Sequence, residues 1–126
     1  MSNIKNVAII GTGVIGTGWV IRCLAHGKKV RAYDFNLKHK KNLIKEIKRS
    51  WPFVKKMFKK KKLNLHNLSF YTNLHDALIK AEFIFECAPE NYTIKTKLMK
   101  KIGLYSKPNS IISVSYTHLT LPTKQD

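Results

Sequence analysis

Three glycines near the start of the chain have a spacing that can bind a phosphate. They lie in GTGVIG, residues 11–16, directly after the apolar run KNVAII. Gly11 allows a sharp turn, Gly13 lets backbone N–H groups approach a pyrophosphate, and Gly16 lets the next helix lie close to the sheet. The N–H groups of Val14 and Ile15 begin that helix, whose N-terminus carries partial positive charge. The glycines alone are weak support, because any tight strand-to-helix turn also favours glycine.

A carboxylate strengthens the case for a dinucleotide site. Asp34 follows KKVRAY, which we expect to be a second strand, and there it can accept hydrogen bonds from both ribose hydroxyls of an adenosine. A 2′-phosphate would be repelled by Asp34, and the next residue is Phe35 rather than an arginine. The pattern therefore favours NAD over NADP, with FAD as a minor alternative.

The segments that would position these residues alternate between strands and helices. Strands are predicted at 5–10, 28–34, 68–73 and 82–88, with a fifth beginning at 110. Helices are predicted after the glycine turn, in the lysine-rich stretch after Asn36, at 74–81 and at 90–105. This order indicates an α/β protein with a Rossmann-type, doubly wound parallel sheet, which we expect to be truncated in or after its fifth strand.

Local signals set the expected limits of these helices. Gly27 is expected to stop the first helix, while Asn36 and Asn73 are expected to cap the second and third. Pro52 should bend the second helix or split it in two. The apolar residues of the first helix are spaced for packing against a sheet: Val14, Ile15, Val20, Ile21 and Leu24.

Composition bounds the class of protein. The chain has 126 residues, which suits one domain, and its 44% hydrophobic content can form a core. A net charge of +17 admits a polybasic nucleic-acid-binding module as an alternative. Nearly all the basic residues are lysines without the aromatic alternation of an RNA-binding sheet, however, so a solvated surface and no specific nucleic acid are favoured.

Cysteine and histidine usage argues against disulfides and metals. Cys23 and Cys87 are far apart without CxxC spacing, and the five histidines share no ligand spacing. No apolar run is long enough to span a membrane, and the N-terminus lacks the organisation of a signal peptide. We therefore expect a cytoplasmic protein that binds neither a membrane nor a metal.

Four segments of the sequence resemble the NAD-binding N-terminal domain of the 3-hydroxyacyl-CoA dehydrogenase family. They are GTGVIGTGW, LAHGKKVRAYD, RSWP and FECAPEN, the last at residues 85–91. The likeness covers about residues 4–113. Within the family, the GVIGxGW and WP elements are most similar to the carnitine-oxidising branch, followed by the gulonate-oxidising branch.

The resemblance implies an activity and a set of contacts. The family transfers hydride to NAD from the 3-hydroxy group of an acid or acyl substrate, here a carnitine-like molecule or a 3-hydroxyacyl-CoA. The glycines of the turn and Asp34 would bind the adenosine diphosphate half of NAD. Glu90 and Lys95 match family positions near the nicotinamide, and Glu86 opens the same motif. Glu90 could equally be an acid favoured in a first helical turn, and for Lys95 a lysine on a solvated helix face is the favoured interpretation.

The resemblance also implies parts that should follow the fifth strand. These are a catalytic histidine and a helical domain that binds the small-molecule substrate and forms a homodimer. Residues 114–126, VSYTHLTLPTKQD, instead resemble a translated sequencing adapter. We therefore expect residues 1–113 to be an incomplete NAD-binding domain without catalytic residues, inactive alone although its parent is an enzyme. A stand-alone dinucleotide-binding protein is the alternative.

Overall fold

Five parallel strands form the centre of the protein. The computed structural model describes residues 3–59, 62–88 and 91–114. The strands in this part of the chain are β1 (Asn6–Ile10), β2 (Lys29–Tyr33), β3 (Leu68–Tyr71), β4 (Phe83–Glu86) and β5 (Ile111–Val114). Their order in the sheet is β3-β2-β1-β4-β5, and every neighbouring pair is parallel. The predicted doubly wound α/β fold is confirmed.

Helices cover both faces of the sheet. They are α1 (Val14–Ala25), α2 (Lys38–Met57), α3 (Leu74–Leu78) and α4 (Tyr92–Tyr105), and a short 3-10 helix spans Leu65–Asn67. Val7 and Ile9 of β1 belong to a core with residues of α1 and α2, whereas Ala8 and Ile10 belong to a second core with residues of α3 and α4. Since side chains alternate along a strand, β1 supplies both cores and is buried on both sides.

The first helix ends as predicted but packs differently at its start. Gly27 has a φ of 74°, and its N–H bonds to the carbonyl of Leu24 while that of Lys28 bonds to Cys23. This pair of bonds is a Schellman motif, which ends a helix. The packing prediction is wrong for Val14 and Ile15, which are 93% and 41% exposed. They lie on the outer side of the first turn, so α1 is anchored further along, by residues such as Val20 and Leu24.

Pro52 does not split the second helix. The helix continues through it to Met57, and Leu43, Ile47 and Trp51 are buried on its inner face. The N-cap of this helix is Leu37, which makes no side-chain cap bond, and not Asn36 as predicted. The Asn36 side chain, one residue earlier, accepts the N–H of Lys38 at 2.9 Å.

The remaining helices begin where asparagine side chains accept their first N–H groups. Asn73 accepts from Asp76 at 3.1 Å, and Asn91 accepts from Ile94 at 3.1 Å. The third helix is shorter than predicted and ends at Leu78. The fifth strand includes Val114, one residue beyond the expected boundary at 113, while residues 115–126 lie outside the described part of the chain.

Candidate functional site

The carboxyl ends of β1, β2 and β4 meet at one edge of the sheet. The N–H of Gly11, directly after β1, bonds to the carbonyl of Tyr33 at 2.8 Å. The N–H of Cys87, directly after β4, bonds to the carbonyl of Ile10 at 2.7 Å. The glycine turn therefore lies between the end of β2, where Asp34 follows, and the end of β4. In open parallel sheets this edge is where ligands bind.

Two of the three glycines are required by packing. Gly11 has a φ of 105°, and a Cβ there would lie 2.8 Å from the backbone carbon and oxygen of Cys87. A Cβ on Gly16 would lie 1.7 Å from the carbonyl oxygen of Gly11. Neither position can hold a side chain without moving the turn.

Gly13 differs from both, because a Cβ at this position would meet no atom within 4 Å. Packing within the described residues therefore gives no reason for a glycine at this position. The space above Gly13 is open, and a ligand lying close to the backbone would fill it. A pyrophosphate fits this observation, since the first N–H groups of α1 have no acceptor inside the helix and point the same way.

Asp34 is buried and accepts hydrogen bonds on both carboxylate oxygens. Its Oδ2 accepts from the backbone N–H of Thr12 at 3.0 Å and from the Thr12 hydroxyl at 2.7 Å. Its Oδ1 accepts from the backbone N–H of Phe35 and from Nδ1 of His39, each at 2.8 Å. Burial acts to raise the pKa of Asp34, but the hydrogen bonds from Thr12 and His39 outweigh it and hold the pKa below its ordinary value. The side chain is therefore a fixed carboxylate at neutral pH.

Glu86 and Lys95 form a buried ion pair on the β4 side of the site. Glu86 is 0% exposed and Lys95 is 9% exposed, and Lys95 Nζ lies 3.2 Å from Glu86 Oε1. The other carboxylate oxygen of Glu86 accepts the N–H of Ala88 at 2.8 Å. The favoured interpretation of Lys95 as a lysine on a solvated helix face is therefore wrong. Its predicted contact with the cofactor stays a prediction, as does that of Glu90, which lies outside the described residues.

The buried ion pair between Glu86 and Lys95 should contribute to the free energy of unfolding. Lys95→Met should lower the free energy of unfolding by about 3 kcal/mol, because Glu86 would keep a buried charge without its cation. Chemical denaturation without cofactor measures this loss. Adding Glu86→Gln in the same chain should restore most of the lost stability.

Lys97→Met is the matched control for this experiment, because Lys97 is exposed in the same helix. It should change the free energy of unfolding by less than about 0.5 kcal/mol. Equal effects of the Lys95 and Lys97 substitutions would contradict a stabilising ion pair.

Neither cysteine is suited to act as a nucleophile. Burial raises the pKa of both Cys23 and Cys87 to about 11, and the charge of Glu86 adds to the effect on Cys87. Both are free thiols. In the described part of the chain, no group of three His, Cys, Asp or Glu side chains is arranged to hold a metal ion. Within the same residues, no helix has the length and apolar character needed to span a bilayer.

Sequence reasoning missed two residues of the site and one ion pair. Thr12 and His39 are the side chains that hold Asp34, and Glu86 is the partner of Lys95. Thr12 could have been found, since a hydroxyl between two turn glycines points to a nearby acceptor. His39 carried no such signal, because its contact depends on how α2 begins.

Comparison with known proteins supports one family. The profile described as 3-hydroxyacyl-CoA dehydrogenase, NAD binding domain, matches residues 6–123. The chain is 37% identical over 108 residues to L-carnitine dehydrogenase of Staphylococcus epidermidis, covering 86% of this chain and 34% of that protein. It is 37% identical over 124 residues to L-carnitine dehydrogenase of a Pseudomonas species, covering 98% and 38%. The chain thus spans little more than a third of the length of these relatives.

Solved structures agree on the fold. The structure of (S)-3-hydroxybutyryl-CoA dehydrogenase from Ralstonia eutropha is similar with a TM-score of 0.78 and 26% identity, covering 89% of this chain and 41% of that one. The structure of 3-hydroxybutyryl-CoA dehydrogenase from Escherichia coli is similar with a TM-score of 0.76 and 24% identity, covering 91% and 25%. The second similarity shows the fold alone.

Proposed function

Because this chain belongs to the 3-hydroxyacyl-CoA dehydrogenase family and carries its NAD-binding domain, we propose that NAD lies across the turn of residues 11–16. The pyrophosphate would rest on the N-terminus of α1, with Gly11, Gly13, Val14, Ile15 and Gly16 as its backbone contacts. The adenosine ribose would lie at Asp34, at the end of β2. The nicotinamide would then extend toward the end of β4, near Lys95 and Glu90.

The open space at Gly13, together with the position of this residue at the N-cap of α1, is the observation that carries this proposal. Gly11 and Gly16 would be glycines in any protein with this turn, because their Cβ atoms would collide with backbone. Gly13 has no such constraint. A close approach by a ligand explains the absence of a side chain there. The N-terminus of α1, which carries the partial positive charge of the helix dipole, faces the same space.

Gly13→Ala should therefore weaken NAD binding without weakening the fold. We expect a rise of about tenfold in the Kd for NAD, since a methyl group would lengthen one or two hydrogen bonds to the pyrophosphate. Calorimetric titration gives the Kd, and thermal unfolding without NAD gives the stability.

Gly103→Ala is the matched control, because Gly103 is also a helix-associated glycine whose Cβ would meet nothing within 4 Å. It lies in α4 and should leave NAD affinity unchanged. If the two variants bound NAD equally well, the pyrophosphate would not lie over Gly13.

For the whole protein, we propose oxidation of a small-molecule 3-hydroxy acid of the carnitine type. The two relatives at 37% identity are L-carnitine dehydrogenases, whereas the Ralstonia eutropha enzyme acts on a 3-hydroxyacyl-CoA at 26% identity. The product of the complete gene should oxidise L-carnitine faster than (S)-3-hydroxybutyryl-CoA. The opposite preference, measured as NADH formation, would assign it to the acyl-CoA branch.

We also propose that the NAD-binding domain ends at residue 113 in this chain. The parent protein is proposed to be a cytoplasmic homodimer. Free thiols at Cys23 and Cys87 suit a reducing compartment. A specific nucleic-acid partner is not part of this proposal, because the lysine-rich segments lack the aromatic alternation of an RNA-binding sheet. The genomic DNA downstream of codon 113 tests the boundary directly: a continuous family sequence there, in place of VSYTHLTLPTKQD, supports it.

A further inference from the structure

The carboxylate of Asp34 has no acceptor site left for a ribose. A carboxylate offers about four lone-pair positions, two on each oxygen. Thr12 fills both positions on Oδ2 through its backbone N–H and its hydroxyl. Phe35 and His39 fill both on Oδ1. A ribose hydroxyl that donates to Asp34 must therefore displace one of these four donors.

The four donors differ in how easily they can leave. The N–H groups of Thr12 and Phe35 belong to the backbone of the two turns, and the Thr12 side chain lies in a residue that is 9% exposed. The side chain of His39 is 43% exposed and can exchange its bond to Oδ1 for bonds to water. Its ring also meets that of Phe35 edge-on at 5.4 Å, and Phe35 is itself 74% exposed. His39 is the donor that can move without disturbing the fold.

We propose that His39 competes with the adenosine ribose of NAD for Asp34 Oδ1, and that NAD binding displaces its imidazole. This inference rests on the proposed placement of NAD at Asp34. His39 then lowers affinity for NAD, because part of the binding free energy goes to breaking its bond with the carboxylate. NADP gains nothing from the removal of His39, since a 2′-phosphate cannot donate to Asp34 and would meet a carboxylate with one donor fewer.

The test compares the Kd values for NAD and NADP at one fixed pH and salt concentration. His39→Ala should lower the Kd for NAD about three- to tenfold, the range of one displaced hydrogen bond, and should not lower that for NADP. His39→Asn retains an N–H donor and should give a Kd between those of the wild type and His39→Ala. His75→Ala is the matched control, because His75 also lies near an aspartate and an aromatic ring, Asp76 and Tyr105, but on α3.

A second readout separates this inference from the placement of NAD. In a chain that already carries Asp34→Ala, His39→Ala should no longer tighten NAD binding. If Asp34→Ala weakens NAD but His39→Ala leaves the Kd unchanged or raises it, competition by His39 is overturned while NAD still lies at Asp34. If Asp34→Ala has no effect on NAD binding, the placement of the ribose fails, and the inference with it.

Discussion

Gly16→Ala is expected to lower the free energy of unfolding by about 4 kcal/mol or more, which is exceptional for a single methyl group. The added Cβ would lie 1.7 Å from the carbonyl oxygen of Gly11, and that oxygen belongs to the turn backbone. Gly11 is fixed in turn by its φ of 105° and by its N–H bond to Tyr33. Because the turn joins β1 to α1, the contact can be relieved only by moving the helix off the sheet.

Gly18→Ala, two residues further along the same helix, provides the control. A Cβ there would meet nothing within 4 Å. Alanine is favoured over glycine in a helix by about 1 kcal/mol, so this variant should be slightly more stable than the wild type. Urea denaturation of both variants measures the difference, and similar stabilities would show that the turn can accommodate a side chain at 16.

The fold was predictable because its signals are local and agree with one another. The alternation of apolar runs with amphipathic stretches gave the five strands and four helices, and Gly27, Asn36, Asn73 and Asn91 act at helix ends as their side chains and φ preferences require. The sequence alone indicates a role at a helix end for Gly27, Asn36 and Asn73, but not for Asn91. The limits of the short elements were less accurate, since the ends of β3 and α3 depend on contacts with the rest of the domain.

The interior of the site was less predictable than its backbone. Periodicity placed Val14 and Ile15 against the sheet, but they stand at the helix N-terminus, where the turn lifts the chain away from the core. The pairing of Lys95 with Glu86 joins α4 to the end of β4. Among so many lysines, composition favours exposure for each one. Only three-dimensional packing shows that, of the lysines in the described part of the chain, Lys95 is buried.

Asp34→Ala should raise the Kd for NAD about 100-fold, the largest effect on NAD binding expected from a single substitution at this site. The wild-type carboxylate is ionised, buried and held in place by Thr12, so Oδ1 can accept from a ribose hydroxyl in place of His39 while its backbone contacts stay unchanged. One hydrogen bond to a charged acceptor, worth about 1.5–3 kcal/mol, accounts for a change of this size. The same carboxylate repels a 2′-phosphate, so NADP should lose little affinity or gain some.

Asp76→Ala is the matched control for this substitution. Asp76 is an exposed acid in α3, close to His75 and remote in sequence from the glycine turn. It changes the net charge of this basic chain by the same amount as Asp34→Ala. Any loss of NAD affinity shared by both variants would therefore be an effect of overall charge.

Calorimetric titration of the wild type and of Asp34→Ala with NAD and with NADP is the most direct test that NAD lies across residues 11–16 with its ribose at Asp34. We predict that the wild type binds NAD more tightly than NADP and that Asp34→Ala removes this preference by weakening NAD. Equal losses of affinity for the two cofactors, or no loss for either, would contradict the placement of the ribose at Asp34.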